Sequence, residues 1–271
     1  MPKFAANLSM LFTDLPFFRR FAAAREAGFT SVEYLFPYEH APATLAGLLE
    51  EHGLDQVLFN LPAGDWAAGD RGIACDPSWT GEFRAGVTRA VTYAKALRVP
   101  RLNCLAGIAP AGVSEDVLWN TLAENLRYAA DVLAEEGLTL LVEFINRKDI
   151  PGFYLHDSDR TLRMIDDVGR PNLLMQYDIY HAQRAEGELT ATLRANMARI
   201  GHIQIADNPG RHQPGTGEIN FNFLLAEIDR LGYQGFVGLE YVPEPDTRAS
   251  LAWALRWGLS PGSSQERSAT P

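Results

Sequence analysis

The sequence predicts a single (β/α)8 barrel, and three observations lead there. Eight strand-like runs recur along the chain, amphipathic helical patterns separate several of them, and no glycine fingerprint of a dinucleotide-binding sheet follows the first run. With 271 residues and 46% hydrophobic composition, the chain can bury a core of barrel size.

The first run, KFAANLS (3–9), leads into PFFRRFAAAREAG, whose apolar residues fall at helical spacing and which ends on Gly28, as helix C-termini prefer. The second, SVEYLF (31–36), is followed by ATLAGLLEEHG, ending on Gly53. After the third, DQVLFNL (55–61), comes PAGDWAAGDRGIACDPSWT (62–80), longer than an ordinary strand-to-helix connection. Loops of that length on such a scaffold tend to be lids or binding loops.

The helical pattern EFRAGVTRAVTYAKALR leads to the fourth run, RLNCLAG (101–107). Next, SEDVLWNTLAENLRYAADVLAEEG opens at Ser114 with acids close behind and ends on Gly137. The fifth, sixth and seventh runs are LTLLVEFIN (138–146), NLLMQYDIY (172–180) and IGHIQIAD (200–207). FNFLLAEIDRLG, closing on Gly232, precedes the eighth, FVGLEYV (236–242). An open doubly wound sheet is the competing architecture, but NLSMLFTDLPF after the first strand contains no GxGxxG. One barrel is expected over 1–258, with a solvated tail over 259–271 of disorder-like composition.

Glu143, Asp178, Gln204 and Glu240 occupy late positions in the fifth to eighth runs. In a barrel these positions converge on one mouth, where active sites of this fold lie. A carboxylate buried among Leu, Val and Ile is costly without a compensating charge. Three carboxylates and an amide oxygen suit a hard or borderline divalent ion, Mg²⁺ or Mn²⁺, better than zinc. The alternative is that each acid pairs with a Lys or Arg of a neighbouring unit.

The formal charge of −10 argues against a nucleic-acid partner, which would demand clustered Lys and Arg. Cys75 and Cys104 form no pairing or zinc-site pattern, consistent with thiols in a reducing cytoplasm. No secretory leader and no membrane-length apolar stretch is expected. A small anionic substrate can still be held by a few local cations, and a homo-oligomer is left open.

NLSMLF, VEYLFPY (32–38), NLPAGDWAAGDRGIAC (60–75), NCLAG (103–107), AENLRYAAD (123–131), MQYDIYH (175–181), GHIQIADNPGRHQPGTGEIN (201–220) and GLEYVP (238–243) together resemble the hydroxypyruvate isomerases, which are xylose-isomerase-like barrels. The resemblance runs to about residue 257 and implies interconversion of hydroxypyruvate and tartronate semialdehyde without a nucleotide cofactor. It also implies that Glu143 and Glu240 are the paired acid/base residues and, with Asp178 and Gln204, the metal ligands. Such chemistry takes a proton from one carbon and returns one to its neighbour, a task for two opposed carboxylates.

His181, three residues past Asp178, is either a substrate contact or a surface or capping group. Arg211, in DNPGRHQPGTGE, is the best candidate to hold a substrate carboxylate bidentately, against a solvated loop arginine. Asn60, Trp66 and Arg71 are candidates to close over the substrate; for Trp66, packing on the rim is the alternative. His202 is expected in the core or supporting the site, and His212 as a loop residue. One departure stands out: Val242 follows Glu240-Tyr241 where relatives tend to carry Lys; if that Lys helps bind the substrate carboxylate, this chain must use another cation, such as Arg211, or tolerate a different substrate.

Overall fold

The computed structural model describes residues 1–260. Eight parallel strands, β1 (Lys3–Asn7), β2 (Ser31–Glu33), β3 (Asp55–Asn60), β4 (Arg101–Leu105), β5 (Thr139–Glu143), β6 (Leu173–Asp178), β7 (Ile200–Ile205) and β8 (Phe236–Leu239), pair in sequence order, and β8 pairs back onto β1. The closed barrel is the architecture expected, and closure leaves no unpaired sheet edge. Of the tail expected at 259–271, Leu259 is buried, and residues from 261 on lie outside the described residues.

Helices α1 (Arg19–Glu26), α2 (Pro42–His52), α3 (Thr80–Leu97), α4 (Glu115–Glu135) and α8 (Phe221–Arg230) match the amphipathic patterns. Gly28, Gly53, Gly137 and Gly232 all take positive φ just past helix ends. Ser114 caps α4 by accepting from the Val117 amide. Three helices lay between the pattern-bearing segments: α5 (Ser158–Val168), α6 (Ile179–Ala185) and α7 (Leu189–Asn196), with a short α9 (Thr247–Ser250) after β8.

The sixth run was expected as strand to residue 180, but β6 stops at Asp178 and Ile179 opens α6. The cause is Asp178 itself, whose side chain accepts from the Tyr180 amide 2.8 Å away and caps the new helix. A site carboxylate therefore also turns the chain.

The long 62–80 loop is fastened along its second half. Gly72 bridges Ala106 in antiparallel fashion, and the Cys75 amide donates to the Ala106 carbonyl. The approach is close enough that a Cβ on Gly72, at φ +116°, would meet the Leu105 carbonyl oxygen at 2.4 Å.

Within the barrel, side chains two apart on a strand share the lumenal face. The apolar pair Ala5 and Leu141 packs in a small cluster with Leu58 and Leu174 at the start of the lumen. Two residues on, the same strands carry Asn7, Asn60, Glu143 and Gln176, all buried. The lumen thus changes from a hydrophobic plug to a polar mouth.

Candidate active site

One buried polar side chain from each strand, or from the residue just after it, joins a continuous chain of hydrogen bonds across the mouth. From β3, Asn60 accepts from Asn103 of β4 at 3.2 Å, and the same Asn103 nitrogen donates to Glu143 of β5 at 3.0 Å. Gln176 of β6 donates to Glu143 at 2.9 Å and to Gln204 of β7 at 2.7 Å. Gln204 donates to Glu33 of β2 at 2.7 Å, and Asn7 of β1 bridges Glu33 (3.1 Å) and Glu240 (3.3 Å), the residue after β8. His202 adds a 2.7 Å contact from Nε2 to Glu33.

Four carboxylates, Glu33, Glu143, Asp178 and Glu240, are thereby buried around one lumen. Burial, then the neighbouring Glu240 and Asp178 charges, push the Glu143 carboxyl well above the usual carboxylate range. Burial also raises Asp178, against the pull of Arg211. Glu240 is pushed up to about 8, by burial first, with Arg211 opposing and Asp178 and Glu33 adding repulsion.

Arg211 is the cation among them. Its guanidinium donates to Glu240 at 3.0 Å and reaches Asp178 at 3.5 Å. Burial works against its charge, but Glu240, Asp178 and Glu143 hold the guanidinium proton more tightly than usual. Arg211 sits at φ +57°, held by its own loop. Asp207, wholly buried, accepts from the amides of Gly215, Gly217 and Ile219, and the Val242 amide donates to the Arg211 carbonyl at 2.8 Å. Val242, the expected departure, thus contributes its backbone to placing the cation that stands nearest the acids. His212 is a loop residue, its Nδ1 donating to the Val242 carbonyl.

The proton on His181 can be placed from its surroundings. Asn146 Oδ1 accepts from the Lys148 and Asp149 amides and from Arg184, so its nitrogen must face outward, toward His181 Nδ1 at 2.7 Å. Nδ1 is therefore an acceptor, and the proton of the neutral ring sits on Nε2, 3.7 Å from Asp178 Oδ2. Burial, then Arg211 and Arg184, hold the imidazole well below its usual basicity, so it stays neutral. His181 presents an N–H donor to the site.

Glu143, Asp178 and His181 place potential ligand atoms within 4.8 Å of one another. With this oxygen-rich surround and more buried acid than the one arginine balances, the residues fit a divalent metal. The tautomer of His181 argues that the carboxylates and the Gln204 oxygen, not the imidazole, are the donors available to it.

Of the residues singled out in the sequence, Glu143, Asp178, Gln204, Glu240, His181, Arg211 and Asn60 come together at the mouth. Trp66 and Arg71 do not touch the acids. They pair with each other, guanidinium carbon 4.3 Å from the ring centroid, and Trp66 leans on Phe36. Glu33, Asn7, Asn103, Gln176 and Asn146 escaped the sequence reading. Glu33 stands in the middle of the run SVEYLF, and only the early end of β2 puts it at a strand end, whereas amides within strands carry no comparable signal.

A family model described as a xylose isomerase-like TIM barrel matches residues 21–257. The chain is 52% identical over 253 residues to the hydroxypyruvate isomerase of Escherichia coli K12, covering 93% of this chain and 98% of that protein. It is 46% identical over 257 residues to a 2-oxo-tetronate isomerase of Pectobacterium atrosepticum, covering 95% and 98%. Among solved structures, a Brucella melitensis protein described as an AP endonuclease of family 2 superposes with a TM-score of 0.93 at 43% identity, covering 95% of this chain and 99% of that one. With eight paired strands closed in sequence order and a family match running from α1 past α9, the chain belongs to the xylose isomerase-like TIM barrel family.

Proposed function

We propose that the protein is a hydroxypyruvate isomerase, interconverting hydroxypyruvate and tartronate semialdehyde by proton transfer between Glu143 and Glu240 through an enediolate. The observation that carries this reading is the pair of buried carboxylates, Glu143 and Glu240, both with raised proton affinity and both within one hydrogen-bonded lumen. A carboxyl tuned toward neutrality can both accept and return a proton at physiological pH.

In the forward direction one glutamate takes a proton from C3. The C–H electron pair becomes the C2–C3 double bond, and the former C2 carbonyl oxygen takes up the negative charge. The second glutamate delivers a proton to C2 as the C3 carbonyl forms, and the hydroxyl proton passes from the C3 oxygen to the C2 oxygen. His181, neutral with its proton on Nε2, donates to the oxygen that gains charge. Arg211 holds the substrate carboxylate, leaving Glu240 to serve as acid or base. Asn103, Gln176 and Asn7 fix the carboxylates so that neither rotates away during the exchange.

A divalent metal, Mg²⁺ or Mn²⁺, held by Glu143, Asp178, Gln204 and Glu240, would supply the charge that stabilises the developing oxyanion and would lower the proton affinity of its ligands. No nucleotide cofactor enters this reaction, which is redox-neutral within one molecule. A reducing cytoplasm suits the two buried, unpaired thiols, Cys75 and Cys104. A nucleic-acid substrate is disfavoured by the net charge of −10 and by a mouth with four buried acids.

The similarity to 2-oxo-tetronate isomerases at 46% identity favours one second reading, the same chemistry on a four-carbon acid. Two experiments test the proposal. Glu143→Gln and Glu240→Gln should each cut turnover by about 10²–10⁴-fold with the fold intact, and near-normal activity in either would overturn the mechanism. Side-by-side rates on the two acids decide the substrate, a clear preference for 2-oxotetronate overturning the choice made here.

A further inference from the structure

We propose that Glu33, which neither contacts the lumen's arginine nor belongs to the four-residue ligand set, is a positioning residue that fixes the amide of Gln204 with its oxygen toward the metal site. The proposal rests on the reading that a divalent metal binds there. Glu33 is 1% exposed and accepts three hydrogen bonds, from Asn7 Nδ2 and Gln204 Nε2 on Oε1 and from His202 Nε2 on Oε2.

A side-chain amide has one end that accepts and one that donates, and only the oxygen can serve a metal. The Asn7 oxygen takes the Ser9 amide, so its nitrogen donates to Glu33 Oε1, which faces Gln204 as an acceptor. With Glu33 2.7 Å from one end of Gln204, that end must be the nitrogen. The oxygen is then forced to the other side, where Gln176 Nε2 holds it at 2.7 Å and Glu143 Oε2 at 2.9 Å. One nitrogen thus gathers the Gln204 oxygen and a Glu143 oxygen side by side. Without Glu33, Gln204 could turn its NH₂ toward the carboxylates, a more favourable neighbour for them but useless to a cation.

Reaching Gln204 from β2 requires Glu33 to cross the ends of β1 and β8. Gly238 of β8 makes that crossing possible, because a Cβ there would lie 2.3 Å from Glu33 Oε1. Gly238 pairs with Gln204 in the β7–β8 register, so the space it leaves open lies beside the amide being fixed. Its φ does not require glycine, and the obstacle is the end of a flexible side chain rather than backbone. The missing Cβ is needed for Glu33.

The test is Mn²⁺ binding to metal-stripped protein, read by the electron paramagnetic resonance of free Mn²⁺, with circular dichroism confirming the fold. Glu33→Leu should weaken Mn²⁺ binding by about 10–100-fold, as loss of a residue that orients a metal ligand does. Gly238→Ala, which displaces the carboxylate while leaving every ligand and charge in place, should weaken it in the same direction. Glu33→Gln is the rescue variant. Its Oε1 can still accept from Asn7 and Gln204, and its NH₂ can face His202 in the other tautomer, so it should bind at least about tenfold more tightly than Glu33→Leu.

If Glu33→Leu and Gly238→Ala bind Mn²⁺ as the wild type does, the positioning role is overturned. If Glu33→Gln is as weak as Glu33→Leu, the residue acts through its charge, and the proposal is likewise overturned. Failure of the wild type itself to bind Mn²⁺ would overturn the metal reading, and this role with it, and is distinguishable from both.

Discussion

Replacing Arg211 by Met removes the one guanidinium that neutralises the lumenal acids while keeping the stem length and a side chain that shares arginine's cost at φ +57°. Glu240 at 3.0 Å and Asp178 at 3.5 Å then lose their cation. Breaking a buried ion pair costs about 3–5 kcal/mol, and since the Arg211 side chain is 25% exposed, the lower end, about 3 kcal/mol, applies. At about 2–4 °C per kcal/mol for a domain of this size, metal-free Arg211→Met should melt about 6–12 °C below metal-free wild type. The loss should grow as pH rises through 8 and beyond, as Glu240 gives up its proton, and shrink in acid, where Glu240 and its neighbours take up protons in place of the missing charge. Mn²⁺ should then raise the melting temperature of the variant more than that of the wild type, because the ion supplies the charge the variant lacks. Differential scanning fluorimetry at pH 8, with EDTA or with excess Mn²⁺, reads both effects. Equal melting temperatures of the two proteins in EDTA, or equal shifts on adding metal, would refute this account of the site's electrostatics.

The wild type should carry its own pH signature. The unfolded chain releases the Glu240 proton near the ordinary value of 4.5 and the folded metal-free protein near 8, so between these limits the folded state binds more protons. This contribution to stability is present at low pH and lost as pH rises. The stabilisation conferred by metal should therefore grow from pH 5 to pH 8, and a gap independent of pH would contradict it. Asn146→Asp should reverse the His181 tautomer by offering a carboxylate to Nδ1, and turnover should fall by about 10–100-fold; unchanged turnover would show that the Nε2 proton is not needed. Gly72→Ala, forced to a φ of +116° with its Cβ 2.4 Å from the Leu105 carbonyl oxygen, should cost about 1–3 kcal/mol. A thermal melt at wild-type temperature would mean that the 62–80 loop is not fastened where the bridge to Ala106 holds it.

The barrel was legible because its strands are continuous apolar runs and several of its helices carry long amphipathic stripes ending on glycine. The strand limits were less so. Asp178 ends β6 through a side-chain cap on Tyr180, a local contact that the apolar run through Ile179 and Tyr180 conceals. Helices α6 and α7 are too short, at seven and eight residues, to carry a long stripe, whereas α5 does bury one, Leu162, Ile165 and Val168, that went unrecognised in the sequence. In the site, an acid at the end of an apolar run is a visible anomaly, which is why Glu143, Asp178 and Glu240 stood out. Glu33 lies mid-run, with Tyr34, Leu35 and Phe36 after it, and its meaning depends on Gln204 of β7 reaching it across the lumen, a relation only the closed barrel supplies. Asn7, Asn103 and Gln176 are uncharged and common in many settings. Their role rests on which acid each one touches, and that is a three-dimensional fact.

The central claim is that this lumen moves a proton between the adjacent carbons of a small hydroxy acid with the help of a bound divalent ion. Proton NMR of the protein with hydroxypyruvate, before metal removal, after chelation and after return of Mg²⁺ or Mn²⁺, tests it most directly. The account predicts that tartronate semialdehyde forms, stops forming on chelation and forms again when metal is restored. Conversion that continues undiminished in the stripped protein, or no conversion in the reloaded one, would contradict it.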